Sequence, residues 1–190
     1  MNIWVFLGPP GAGKGTQAVT MAGDLGMPHV STGDLLRRAL REGTEVGIRA
    51  KSFMDAGDLV PDEVLLDLVR GRLTSDDAAG GCVLDGYPRN LAQAESLDEM
   101  LRELGAGIVG VLNLSVSEET LVGRIAGRRS DESRVDDAAE TVRNRMRVYE
   151  EQTAPLVVHY RSRGLLLDVD GEPGVEEVRA AVRSAVAAAS

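Results

Sequence analysis

The chain has 190 residues, 43% hydrophobic and 27% charged, which is enough to bury one sizeable core and short for two. Its formal net charge of −9 argues against a surface for nucleic acid or anionic membrane, so any phosphate it holds must sit in a local cluster of positive charge. With one cysteine, Cys82, and two histidines, neither an intramolecular disulfide nor a cysteine-rich zinc site is expected.

Ile3-Trp4-Val5-Phe6-Leu7 is a continuous apolar run closed by glycine and proline, which predicts a strand buried on both faces. The residues after Met1 show no basic leader, and no apolar run approaches membrane-spanning length, so a cytoplasmic protein with no membrane partner is expected. Directly after this strand, Gly8-Pro9-Pro10-Gly11-Ala12-Gly13-Lys14 fits G-x-x-x-x-G-K and opens a helical pattern of Ala18, Met21, Ala22 and Leu25, stopped by Gly26. In that setting the glycines let backbone N–H groups converge on one concavity, the helix N-terminus adds its positive end, and Lys14 reaches the β- and γ-phosphates of a nucleotide. Lys14 and Lys51 are the only lysines among 21 basic residues, so lysine is kept here in a chain that otherwise chooses arginine. The position after Lys14, usually a hydroxyl on Mg²⁺, is Gly15, and Thr16 follows; the metal is then expected to be held largely through water.

Ser31 to Val60 reads as helical and rich in charge and glycine, an insertion at the sheet edge. Cys82-Val83-Leu84 is a short strand, with Cys82 a core residue, and Asp85 stands at its carboxyl edge, placed to order the water shell of Mg²⁺. Leu97, Leu101 and Leu104 mark a helix, Ile108 to Leu114 the next strand. Residues 127–137 are polar, arginine-rich and aperiodic. Leu165 to Val169 is a further strand, and Val175, Val178, Val182 and Val186 give the last helix an apolar stripe. Strands alternating with helices predict a three-layer α/β fold with a mostly parallel sheet and flanking helices. His29 and His159 belong to no motif and are read as surface or packing residues. Arg143 and Arg147 are read as a solvated helix face paired with Glu150 and Glu151.

Six segments in order, GPPGAGKGTQ, STGDLLR (Ser31 to Arg37), DAGDLVPDE (Asp55 to Glu63), LDGYPRNLAQA (Leu84 to Ala94), GRIAGR (Gly123 to Arg128) and ETVRNRM to TAPL (Glu140 to Leu156), resemble the adenylate kinase family over nearly the whole chain. The resemblance implies a P-loop nucleoside triphosphate hydrolase-like fold in a single domain. Its core would be residues 1–30, 61–126 and 138–190, with an AMP-binding insertion at 31–60 and a short lid at 127–137, without the cysteines of a zinc-bearing lid. It implies a monomer that transfers the terminal phosphoryl group of Mg-ATP to AMP, giving two ADP.

By the same likeness, Gly11, Ala12, Gly13, Lys14, Gly15 and Thr16 hold ATP, with Arg128 on its phosphates, Arg124 against the adenine face, and a loop around Pro173 (Gly171 to Gly174) at the base. Thr32 and Gln93 read the adenine of AMP, Arg37 and Arg89 hold its phosphate, Asp58, Leu59 and Val60 close over the base, and Gly86, Tyr87 and Pro88 complete the site. Arg134 and Arg145 bridge the two nucleotides. Lys14, Asp85, Arg89, Arg128, Arg134 and Arg145 form the catalytic set, which needs no strong general base because phosphoryl transfer depends on positioning and charge. The nearest rival is a kinase for UMP, CMP or GMP; a GTP-sensing switch lacks its base-reading motif, and no motif residue has been lost as in an inactive relative.

Overall fold

The computed structural model describes residues 1–131 and 139–189, with side chains for 1–125 and 140–189. The apolar run after Met1 forms β1 (Asn2–Leu7), the middle strand of a sheet completed by β2 (His29–Ser31), β3 (Gly81–Asp85), β4 (Gly107–Ser115) and β5 (Leu166–Asp170). The order is β2-β3-β1-β4-β5, and every pair is parallel, so the mostly parallel sheet expected from the sequence is wholly parallel among the described residues. Parallel strands need crossovers, and nine helices among the described residues supply them or follow them.

Alternation along β1 feeds two cores. Ile3, Val5 and Leu7 face one layer with α4 (Asp62–Leu73), α5 (Leu91–Glu103) and α8 (Pro155–Ser162), which contribute Val69, Leu97, Leu156 and Tyr160. Trp4 and Phe6 face the other layer with α1 (Lys14–Leu25) and α9 (Val175–Ala189), through Ala18, Met21, Val178 and Val182. Arg183 on α9 clamps Asp24 on α1 through two hydrogen bonds of 2.7 and 2.8 Å. Cys82 is a core residue of β3, and burial pushes its thiol up to about 12.

The helical stretch after Ser31 resolves into α2 (Thr32–Arg41) and α3 (Glu45–Ala56), which follow the edge strand β2. α6 (Glu118–Asp131) stays helical as far as Asp131, so residues 127–131, read as aperiodic from their polarity, are helical in backbone. The remainder of the expected lid, with Arg134, and the side chain of Arg128 lie outside the described residues. α7 (Ala139–Val148) runs on through one wide turn, Tyr149–Thr153, in which the Ala154 N–H bonds five residues back to Tyr149 O at 2.8 Å, and then continues as α8.

α7 also touches the end of α3 and the turn after it: Thr141 Oγ1 donates to Asp55 O at 3.1 Å, and Asn144 Nδ2 to Ala56 O at 2.9 Å and Asp58 Oδ1 at 2.7 Å. Arg147 pairs with Glu151 one turn on at 2.9 Å, the helix-face pairing expected of it. Two stripe residues depart from expectation: Leu25, at the end of α1, and Val175, at the start of α9, are exposed because they sit at helix ends beyond the sheet.

Close packing leaves no room for a side chain at Gly110. A Cβ on Gly110 of β4 would stand 2.3 Å from the Trp4 ring across the β1–β4 pair. Gly110→Ala is therefore expected to lower stability by about 1–3 kcal/mol in urea unfolding, the cost typical of an overpacked core; an unchanged midpoint would mean that the ring has room to move.

Candidate active site

The carboxyl ends of parallel strands all point to one edge, and there a cavity of about 970 Å³ opens. The loop after β1, His29 and Ser31 of β2, Asp85 at the end of β3 and Gly171 after β5 all line it. Among its described lining residues, Lys14, Arg37, Arg89, Arg124 and Arg145 are cationic against two carboxylates, Asp34 and Asp85, in a chain of net charge −9. Such a concentration of positive charge suits a polyanion, and the volume lies within the range of small-molecule sites.

The phosphate loop has the form its motif predicts. Gly13 stands at the N-cap of α1 with φ of 92°, a left-handed conformation that glycine adopts at no steric cost. α1 begins with no side-chain cap and no acidic residue in its first turn, so its N–H groups and dipole present their positive end to the cavity. Lys14 Nζ folds over the loop, donating to Gly8 O at 2.7 Å and Pro9 O at 2.9 Å. Gly11, Ala12, Gly13, Gly15 and Thr16 line the same wall.

Asp85 faces this loop: a Cβ on Gly15 would be 3.4 Å from its Oδ2. Burial pushes the Asp85 carboxyl up, but the imidazole of His29, with Lys14 and Arg89, outweighs burial and holds it below the usual carboxylate range. His29 Nε2 lies 3.7 Å from Asp85 Oδ2, beyond hydrogen-bond reach, and has no hydrogen-bond partner among the described residues. The sequence reading of His29 as an ordinary surface or packing residue is thus corrected: it lines the cavity beside the carboxylate. Its strand is three residues long, too short for periodicity to reveal.

A second group of arginines lines the same cavity. Arg89, in the loop after β3, donates from Nε to Gly86 O at 2.8 Å, and Thr32 Oγ1 donates to the same carbonyl at 2.8 Å. Arg37 reaches back to Asp34 at 2.5 Å over the first turn of α2. A smaller recess joins the cavity, walled by Thr32, Asp58, Leu59 and Val60, and Arg37, Arg89 and Arg145 line both spaces.

Gly86 and Pro88 line the main cavity, whereas Tyr87 is buried in the core and Gln93 is 0% exposed behind the wall. Gln93 Nε2 donates to Asp62 Oδ1 at 2.6 Å, and Gln93 Oε1 accepts the Arg89 N–H at 2.7 Å. At the far end Arg124 donates from Nη2 to Glu172 O at 3.1 Å and Pro173 O at 3.3 Å, while the Glu172 carboxylate takes the Ser117 N–H and the Thr120 hydroxyl. Asp62 and Glu172 went unread because each acts on a segment distant in sequence, and an acidic residue at a helix start looks like an ordinary cap.

A parallel α/β sheet, a glycine-rich phosphate loop at its carboxyl edge and a facing set of arginines define a P-loop nucleotide-binding protein. Comparison with known proteins narrows the class. Residues 6–165 match the family model described as adenylate kinase. The chain is 55% identical over 174 residues to the adenylate kinase of Thermobifida fusca, covering 92% of each chain. It is 49% identical over 182 residues to that of Stenotrophomonas maltophilia, covering 96% of this chain and 97% of the relative. Against adenylate kinase 1 of a Synechocystis species the identity is 50% over 174 residues, covering 92% and 91%. The chain belongs to the adenylate kinase family.

Because Asp85 has a lower pKa folded than unfolded, its ionised form favours the folded state above the ordinary carboxylate pKa, and that contribution fades as pH falls through the lowered value. Asp85→Asn removes it, so the stability gap between wild type and variant is expected to narrow in urea melts taken from pH 7 down to pH 3. A gap that stays constant across the series would show that Asp85 is not held ionised.

Proposed function

We propose that this chain moves the terminal phosphoryl group of ATP onto AMP, giving two ADP, and that the reaction runs in both directions. The observation that carries the reading is that one cavity is lined both by a phosphate loop and by Arg37 and Arg89, with room for two nucleotides to meet phosphate to phosphate. The uncapped start of α1 with residues Gly11 to Thr16 binds the ATP phosphates, and Lys14 releases its two loop carbonyls to follow the β- and γ-phosphates. Arg124, held edge-on by the Glu172 and Pro173 carbonyls, offers its planar face to the adenine.

Arg37 exchanges Asp34 for the AMP phosphate, and Arg89 grips the same group. Thr32 and Gln93 read the base. The carboxylate of Asp62 accepts only and the Arg89 N–H donates only, so the Gln93 amide has a single orientation, with one N–H and one lone pair left over. That donor and acceptor complement an adenine edge, which reaches them once the wall covering Gln93 moves aside. Asp58, Leu59 and Val60 flank the base, and Gly86 and Pro88 line its approach.

Arg145, with Arg128 and Arg134, neutralises the charge that spreads over the transferred group, and exclusion of water from the filled site keeps it from competing as acceptor. Adenylate kinases use Mg-ATP, and the oxygen donors here suit that ion: an ionised Asp85 facing the loop, with Thr16 on the same wall and no thiolate. Bound there, Mg²⁺ would neutralise phosphate charge, with Asp85 holding its water shell. Among the described residues there is no cluster of three or more ligating side chains that would build a structural metal site, and no helix is long and apolar enough to cross a membrane. We take the protein to act as a cytoplasmic monomer without nucleic-acid partners.

Initial rates of ADP formation from Mg-ATP with AMP, UMP, CMP and GMP in parallel test the substrate assignment. AMP is expected to exceed the others by at least about 100-fold in kcat/KM, because a buried amide facing the wrong edge leaves hydrogen bonds unmade; a faster reaction with UMP or CMP would overturn it. Lys14→Ala is expected to lower kcat by roughly 100-fold or more with the fold intact by circular dichroism. An unaffected rate would take the loop lysine out of the chemistry.

A further inference from the structure

We infer that Thr153 is a positioning residue for Arg89, delivered by the wide turn between α7 and α8. Arg89 sits in the irregular loop between β3 and α5, where no strand or helix ladder holds its backbone. Hydrogen bonds to described residues include these: its N–H donates to Gln93 Oε1 at 2.7 Å, its Nε to Gly86 O at 2.8 Å, and its carbonyl accepts Thr153 Oγ1 at 2.7 Å. Gly86 lies in the same loop and Gln93 in the first turn of α5, both within four residues of Arg89. Thr153 is 64 residues away, so its hydroxyl ties the loop to the opposite arm of the cavity.

That arm carries Arg145 on α7. One hydrogen bond between Thr153 and the Arg89 carbonyl therefore sets the spacing of two arginines that line both spaces of the site. Thr153 is 7% exposed and lines the cavity, yet it has no charge or acid–base chemistry of its own. A threonine within a helix usually turns its hydroxyl back to the carbonyl three or four residues before it, and this one reaches across to another segment.

The wide turn explains the reach. Closing a ring five residues long rather than four inserts one residue, which advances the side chains by about 100° relative to an unbroken helix. With that offset Thr153 meets Arg89 while Leu156 and Tyr160, further along, are both 0% exposed in the core. A regular helix would have to choose between the two.

The inference rests on Arg89 serving the AMP phosphate, and its test separates the two ideas. Thr153→Val keeps the shape of the side chain and removes the hydroxyl. In Mg-ATP plus AMP assays it is expected to lower kcat about tenfold and raise KM for AMP, leaving KM for ATP within about twofold, since a small misplacement of a phosphate-gripping group is costly. Thr153→Ser, which restores the hydroxyl, should return both to within about twofold of wild type. On an Arg89→Ala background Thr153→Val should cost little more.

Calorimetric titration of AMP into Thr153→Val should show the same loss without turnover. Equal rises in both KM values, a serine variant as poor as valine, or a full additional loss on the Arg89→Ala background would overturn the inference. If the valine variant does not fold, Thr153→Ala supplies the same loss of hydroxyl and is read in the same way. Wild-type turnover, measured alongside, reports on the proposed reaction itself: a wild type that binds AMP but makes no ADP would count against the reaction, while the titration still decides the role of Thr153.

Discussion

The start of α1 governs the rest of the site. A helix that begins on glycine, with neither a capping side chain nor a carboxylate in its first turn, keeps the positive end of its dipole turned toward the cavity. That end must stand still if it is to organise a phosphate chain, and the sheet holds it still. β1, paired on both sides and apolar at every inner position, stops at the loop, and α1 is held against α9 by the paired hydrogen bonds from Arg183 to Asp24. In an acidic chain the resulting patch of positive potential is local, and neighbouring carboxylates confine it.

Those carboxylates differ in kind. Asp34 is exposed, a short-range partner that Arg37 can leave for a stronger anion at little cost. Asp85 is largely enclosed and kept ionised by the basic groups around it, so its charge is a fixed part of the site. Among the described lining residues, then, one carboxylate is exposed and exchangeable and one is enclosed, and the enclosed one lies beside the phosphate loop.

Much of this was legible in the chain before any coordinates. β1 and its loop could be read because a continuous apolar run followed by closely spaced glycines has few other meanings, and Cys82, Val83 and Leu84 announced β3 in the same way. The roles expected of Arg37, Arg89 and Arg145 came from resemblance, and all three lie along the cavity. What stayed hidden depends on partners distant in sequence. His29 matters through Asp85, Thr153 through Arg89, and Asp62 through Gln93, and no local pattern encodes such a pairing. β2 was missed because three residues cannot display a period, and the continuation of α6 to Asp131 because the sequence from Gly127 to Asp131 has no apolar residue to mark one.

The joint between α7 and α3 has an evolutionary consequence. Thr141 and Asn144 grip the carbonyls of Asp55 and Ala56, groups that every amino acid possesses, so replacement of side chains along α3 leaves these two bonds in place. The turn that follows is less forgiving: Asn144 also bonds the Asp58 carboxylate, and a Cβ on Gly57 would stand 2.7 Å from Thr141 O. Drift is thus tolerated along the helix and penalised at Gly57 and Asp58.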